Sequence, residues 1–252
     1  MIRRILYGDS RFLIFRRISI DAFNQEAHAM QEIARYYPIV TTIFSFIIAR
    51  EMFIHYREQK STYLLCWTLG VCSFGLAALA ASINVLAGWS PANLKFWYIV
   101  GALVGGFPLA QGTLYFLASR KVANISTIVF LVVIGVAAVA VALTPISIPP
   151  DFDRELTGKV FTWKWVRLFS PIVNTYSFLV VLGGGIYSAY RYYSQDERDE
   201  HYLANIRVAL GGLLPGIGGI LMRGGFVNML FVLDFLALAV IYSGYRILKS
   251  SE

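Results

Sequence analysis

Apolar runs of membrane-spanning length recur seven times along the chain, separated by short stretches that collect Lys, Arg, Asp, Glu and Pro. A bilayer core of about 30 Å takes roughly 20 residues of helix. The runs at about 36–56, 63–86, 95–118, 122–145, 168–190, 202–222 and 225–247 each reach that length. The fourth is the most uniformly apolar, reading IVFLVVIGVAAVAVAL. Only Arg223-Gly224 parts the last two, which predicts a tight helical hairpin. The pattern predicts an all-α polytopic membrane bundle of seven transmembrane helices over 36–249, preceded by a tail over 1–35.

Composition agrees. Of 252 residues, 57% are hydrophobic and 15% charged, against about 45–50% and 25% in soluble domains. That excludes an ordinary soluble domain, a disordered chain and a basic nucleic-acid-binding module, so the partner expected first is the lipid bilayer. In such a protein Lys and Arg report orientation, because cytoplasmic loops favour them. Arg50, Arg57 and Lys60 flank the 1–2 connection, Arg120 and Lys121 the 3–4 connection, Arg191, Arg198 and Arg207 the 5–6 connection, and Arg246 and Lys249 the C-terminus. The opposite side carries Lys95 in one short loop and Arg223 in another. The expectation is a multi-pass protein of a bacterial-type inner (cytoplasmic) membrane with its C-terminus in the cytoplasm. The 4–5 loop, SIPPDFDRELTGK followed by Trp163 and Trp165, then faces outward, and its tryptophans suit an interfacial aromatic belt.

The tail does not fit this scheme. Arg3, Arg4, Arg11, Arg16, Arg17 and Arg35 would sit on the outer side. Three readings stand: a true start at Met30, an amphipathic segment lying on the membrane through Phe12, Phe15, Ile18 and Phe23, or an inverted bundle. No secretory signal is expected, because the arginine-rich start lacks a clean apolar core and cleavage site.

Candidate chemistry is sparse. Asp234 is the only acidic residue deep in any span, nine residues into the seventh and about 14 Å of rise from its outer end. A carboxyl at such depth is costly and marks a functional hypothesis. With no Lys or Arg at its level, it favours the neutral, protonated form. Counting the same depth along the other helices reaches Ser45, Gly105, Ser177 and Pro215-Gly216, which together would line a pocket beside Asp234. Pro215 removes a backbone donor amid Gly211, Gly212, Gly216, Gly218 and Gly219, so the sixth helix is expected to bend. A protonated Asp234 would then donate to a carbonyl freed by Pro215. The competing reading is a structural interhelical hydrogen bond. A second polar group, Gln111, Thr113 and Tyr115, lies in the third span. Gln111 and Tyr115 share a face at i, i+4 and are expected to meet Arg50, Glu51 or Arg207, or else to serve as polar glue.

Small residues recur at helical spacing, with Gly70, Ser73, Ala77, Ala81 and Asn84 on the second span and Gly101, Gly105, Pro108 and Gly112 on the third. They predict close helix contacts. Cys66 and Cys72 lie six apart on different faces of one helix, which suits core residues and not a disulfide. No metal-ligand spacing is present, and His28, His55 and His201 lie in the tail or at helix ends. Neither cofactor nor metal is expected. The seventh span has no Lys for a retinal Schiff base: four residues after Asp234 stands Leu238. No GxxxxGK[ST], HExxH or GxSxG motif occurs, and no catalytic set can be assembled at membrane depth, so an enzyme is not expected.

Trp67-Thr68-Leu69-Gly70, Gly88-Trp89-Ser90, Trp97-Tyr98-Ile99-Val100-Gly101-Ala102 and Gly112-Thr113-Leu114-Tyr115 resemble a group of uncharacterised bacterial multi-spanning membrane proteins. The resemblance covers the second and third spans and their loop. It implies a membrane bundle and no particular activity. Two functions remain in view: a small-solute or proton-linked carrier or sensor built around Asp234, and a non-catalytic structural subunit of a larger membrane assembly, paired with another membrane protein or with itself.

Overall fold

The computed structural model describes residues 33–150, 152–194, 200–224 and 227–250. Its helices are α1 (Tyr37–Gln59), α2 (Thr62–Ala87), α3 (Pro91–Trp97), a π-helical segment (Tyr98–Val104), α4 (Phe107–Leu117), α5 (Arg120–Leu143), α6 (Phe169–Ser194), α7 (Glu200–Arg223) and α8 (Val227–Ser250). Seven segments are long and apolar enough to cross a membrane, so the fold is an all-α seven-helix bundle. The arginine-rich tail lies outside the described residues up to position 32, and with it the three readings of that tail.

The third span begins earlier than the apolar run suggests. Ser90 accepts a hydrogen bond from the Asn93 backbone N–H at 3.2 Å, and Pro91 occupies the first helical position. This serine-proline start is a strong N-terminal cap. Lys95 therefore lies in a helix, not in the predicted loop, and its Nζ donates to the Ala142 carbonyl at 2.7 Å. There it satisfies one of the last carbonyls of α5, where a cation is favoured.

Six spans close into a ring in the order α1, α2, the α3-to-α4 span, α6, α7, α8 and back to α1. The fourth span, α5, packs outside this ring against the π-helical segment, α4 and α6. Its outward face, including Ile128, Val132 and Val139, is exposed and apolar as a lipid-facing surface requires. A predicted small-residue contact between the second and third spans is present, and α7 and α8 add one that the predicted stripes do not name. A Cβ at Gly101 would lie 3.0 Å from the Ala77 Cβ of α2, and one at Gly244 in α8 would lie 2.8 Å from the Ala204 carbonyl oxygen of α7. Such close backbone approach substitutes for the hydrophobic drive that lipid removes.

The connection between α5 and α6 is ordered. Ile146 and Phe161 form an isolated antiparallel bridge, and the Trp163 N–H donates to Thr144 Oγ1 at 3.1 Å. Phe161 packs edge-on against Tyr98 at 4.9 Å. Trp163 and Trp165 stack at 6.0 Å and remain largely exposed, as a membrane-interface pair would.

Candidate functional site

Asp234 lies seven residues after the first residue of α8, about 10 Å of rise along it. It borders a partly open cavity of about 50 Å³ between α1, α2, α3 and α8. Pro38 and Thr41 of α1, Ala77 of α2 and Trp97 at the end of α3 contribute to the wall. No Lys, Arg or His among the described residues lines it. The Asp234 carboxylate has no hydrogen-bond or ion-pair partner among the described residues. An acid this far along an apolar helix pays for desolvation without compensation from a cation or a donor. The cavity exceeds the space needed for one water molecule and is far smaller than a drug-sized pocket.

The other residues placed at this depth by counting are only partly gathered here. Ser45 is completely buried one turn along α1 from Thr41, and its hydroxyl donates to the Thr41 carbonyl at 2.6 Å. Ser177 of α6 sits across the ring against the Gly105-Gly106 turn: a Cβ at Gly106 would lie 3.0 Å from the Ser177 Cβ. Gly216 turns toward Phe178 of α6, and α7 runs as a continuous helix through Pro215. No hydrogen bond joins Asp234 to α7 among the described residues. A stretch of π-helical geometry falls in the third span. Pro108 has no N–H, the turn before it opens into the π-helical segment, and Asn174 Nδ2 of α6 donates to the Ala102 carbonyl there at 2.9 Å.

Among the wall residues that depth counting missed are Thr41, Phe74, Trp97 and Phe231. The Ser90-Pro91 cap was the legible signal for Trp97, since it starts the third helix early enough to carry Trp97 to this level. Phe231 could have been read from α8 itself, one turn before Asp234.

Gln111 and Tyr115 do share a face, but they meet α5 and α6 and not Arg50, Glu51 or Arg207. Gln111 Nε2 donates to Tyr176 OH at 2.7 Å and Ser126 Oγ at 3.1 Å, and Gln111 Oε1 accepts from Thr127 Oγ1 at 3.1 Å. Tyr115 donates to Asn124 Oδ1 at 2.7 Å. All of these partners sit on the fourth and fifth spans, because α5 packs against the face of α4 that carries Gln111. Thr113 points the other way, into a second cavity of about 30 Å³ at the centre of the ring. Ile48, Val71, Leu109, Val181, Val208 and Leu238, one from each ring span, line that space, and its wall is almost wholly apolar.

The basic end of the bundle is closed by a third polar group. Glu51 of α1 accepts from Tyr242 OH and, at 3.2 Å, from Lys249 Nζ, both on α8. Arg246 stands 3.8 Å from the same carboxylate. One turn away, His55 Nδ1 and Tyr245 OH are 2.8 Å apart. Tyr242 and Tyr245 also line the central cavity, so these contacts cap it.

Among the described residues no group of His, Cys, Asp and Glu is arranged to hold a metal ion. Compared with known proteins, the chain matches no family model, no curated protein and no solved structure.

Proposed function

We propose that this membrane protein is a proton-linked carrier or sensor of a small solute, with Asp234 as its responsive group. One observation carries the reading: a carboxyl without a partner among the described residues lines a cavity that no described cation borders. A charge held in such a wall is expensive, and binding a proton or a cation removes that expense. The group therefore couples occupancy of the cavity to the packing of α1 against α8. The basic end, with Arg57, Lys60, Arg120 and Lys249, faces the cytoplasm in this reading, and the Asp234 cavity lies nearer the opposite surface.

The test compares purified wild-type protein with Asp234→Asn in detergent, following the melting temperature from about pH 5 to pH 9. The variant keeps the shape and removes the titration. A pH-dependent shift in the wild type that is absent from the variant supports the proposal. Identical pH dependence in the two proteins sinks it. Proton flux into vesicles holding a trapped pH indicator then separates carrier from sensor.

A further inference from the structure

The wall around Asp234 is selective in its chemistry. Three aromatic side chains, Phe74, Trp97 and Phe231, line the cavity with it. Among the described residues, Thr41 is the only other polar side chain on the wall apart from the Trp97 indole, and its hydroxyl already donates to the Tyr37 carbonyl at 2.9 Å. It therefore offers the cavity lone pairs only. Among the described residues, the side-chain oxygens on the wall are two from Asp234 and one from Thr41. Calcium and magnesium ask for roughly six or more oxygens, so this wall is poor in the ligands they need.

An ammonium group bonded to carbon asks for the other set of partners. Its charge is met by a carboxylate, its N–H groups by oxygen lone pairs, and its polarised methyl or methylene groups by aromatic faces. We infer that the cavity is an aromatic cage for a small ammonium cation, a primary or methylated amine of a few non-hydrogen atoms, held by Asp234 with Phe74, Trp97 and Phe231 around it. The inference rests on the reading of Asp234 as the responsive group and names the class of ligand it responds to. Size sets the limit: a cavity of about 150 Å³ is what admits benzene, and this one is about 50 Å³.

The test uses methylammonium chloride as the probe on purified full-length protein, with NaCl and KCl at matched concentration and fixed pH as controls. The expected result is a saturable rise in melting temperature with methylammonium that neither salt reproduces. Asp234→Asn abolishes it, and Trp97→Leu or Phe231→Leu weakens the apparent affinity roughly tenfold or more. Trp97→Phe keeps a ring in place and retains most of the binding, which separates loss of the cage from loss of the fold. Equal responses to methylammonium, sodium and potassium would overturn the inference, as would an undiminished response in Asp234→Asn. A pH dependence that vanishes in Asp234→Asn while methylammonium has no effect overturns the amine assignment and leaves the proton-linked reading standing.

Discussion

Tyr242 of α8 donates its hydroxyl to Glu51 of α1, joining positions 191 apart in the chain at the basic end of the bundle. The same carboxylate takes Lys249, with Arg246 close by. These contacts close the helix ring between its first and last spans. The Glu51 side chain is only 25% exposed, so its hydrogen bond is partly shielded from competing water. Tyr242→Phe is expected to cost about 1.5–3 kcal/mol, the range for a hydrogen bond to a charged group. Combining it with Glu51→Gln should cost less than the two losses added together, because both remove one interaction. Equilibrium unfolding in mixed micelles measures this. Strict additivity would show that the contact carries no energy.

The Gln111 network makes a sharper demand. Gln111 is 1% exposed and bonds Ser126, Thr127 and Tyr176 together. Gln111→Leu keeps similar bulk but strips a donor and an acceptor from three half-buried partners. Interhelical hydrogen bonds in membranes average below 1 kcal/mol each, yet here three depend on one side chain. The expected loss is about 2 kcal/mol. Because α5 lies outside the ring, the damage should be local. A cysteine placed on α5 should gain reactivity toward a lipid-soluble thiol reagent, while one on α7 should not. Equal reactivity changes at both positions would refute a local role for the network.

Seven spans were legible because the hydrophobic requirement of the bilayer acts on every residue of a helix at once. Their depth relationships were not. Counting inward from the apparent helix ends treated all seven as straight rods starting at one plane. That choice paired Asp234 with Ser45, whereas Pro38 and Thr41 border it, one turn nearer the helix start. The error on the third span has a definite cause: Lys95 looked like a loop residue, although its charge is absorbed by the Ala142 carbonyl. The partners of Gln111 were equally hidden, since nothing in a linear pattern says which neighbour the fourth span packs on. The acid itself stood out for a local reason. A lone carboxyl among apolar residues needs no partner to be conspicuous.

Glycines separate close contact from open space, and that contrast is testable. A Cβ at Gly185 in α6 would meet the Ala209 backbone nitrogen at 3.0 Å, whereas one at Gly183 meets nothing within 4 Å. Gly185→Val should force α6 and α7 apart and lower stability by several kcal/mol, as overpacking against backbone does. Gly183→Ala should be neutral, or stabilising by up to about 1 kcal/mol through helix propensity. Thermal melts of the two variants decide this, and a destabilised Gly183→Ala would contradict the open surface at that position.

The interrupted third span makes the most specific prediction. Pro108 supplies no N–H, so the Val104 carbonyl lacks the donor that an α-helix would provide four residues later, and the chain widens into the π-helical segment. Asn174 then donates to the Ala102 carbonyl from outside. Gly105 is required here, because a side chain would run into the Gly101 carbonyl oxygen of its own helix. Gly105→Ala should therefore destabilise the protein, and Asn174→Leu should cost about 1 kcal/mol by leaving the Ala102 carbonyl unpaired. Pro108→Ala restores the missing donor and should raise the melting temperature while slowing amide exchange across residues 98–106. Trp97 borders both this segment and the Asp234 cavity. If the widened segment holds Trp97 in place, Pro108→Ala will also weaken the response to methylammonium even as it stabilises the fold. A variant that is both more stable and fully responsive would show that the π-helical segment and the cavity are independent.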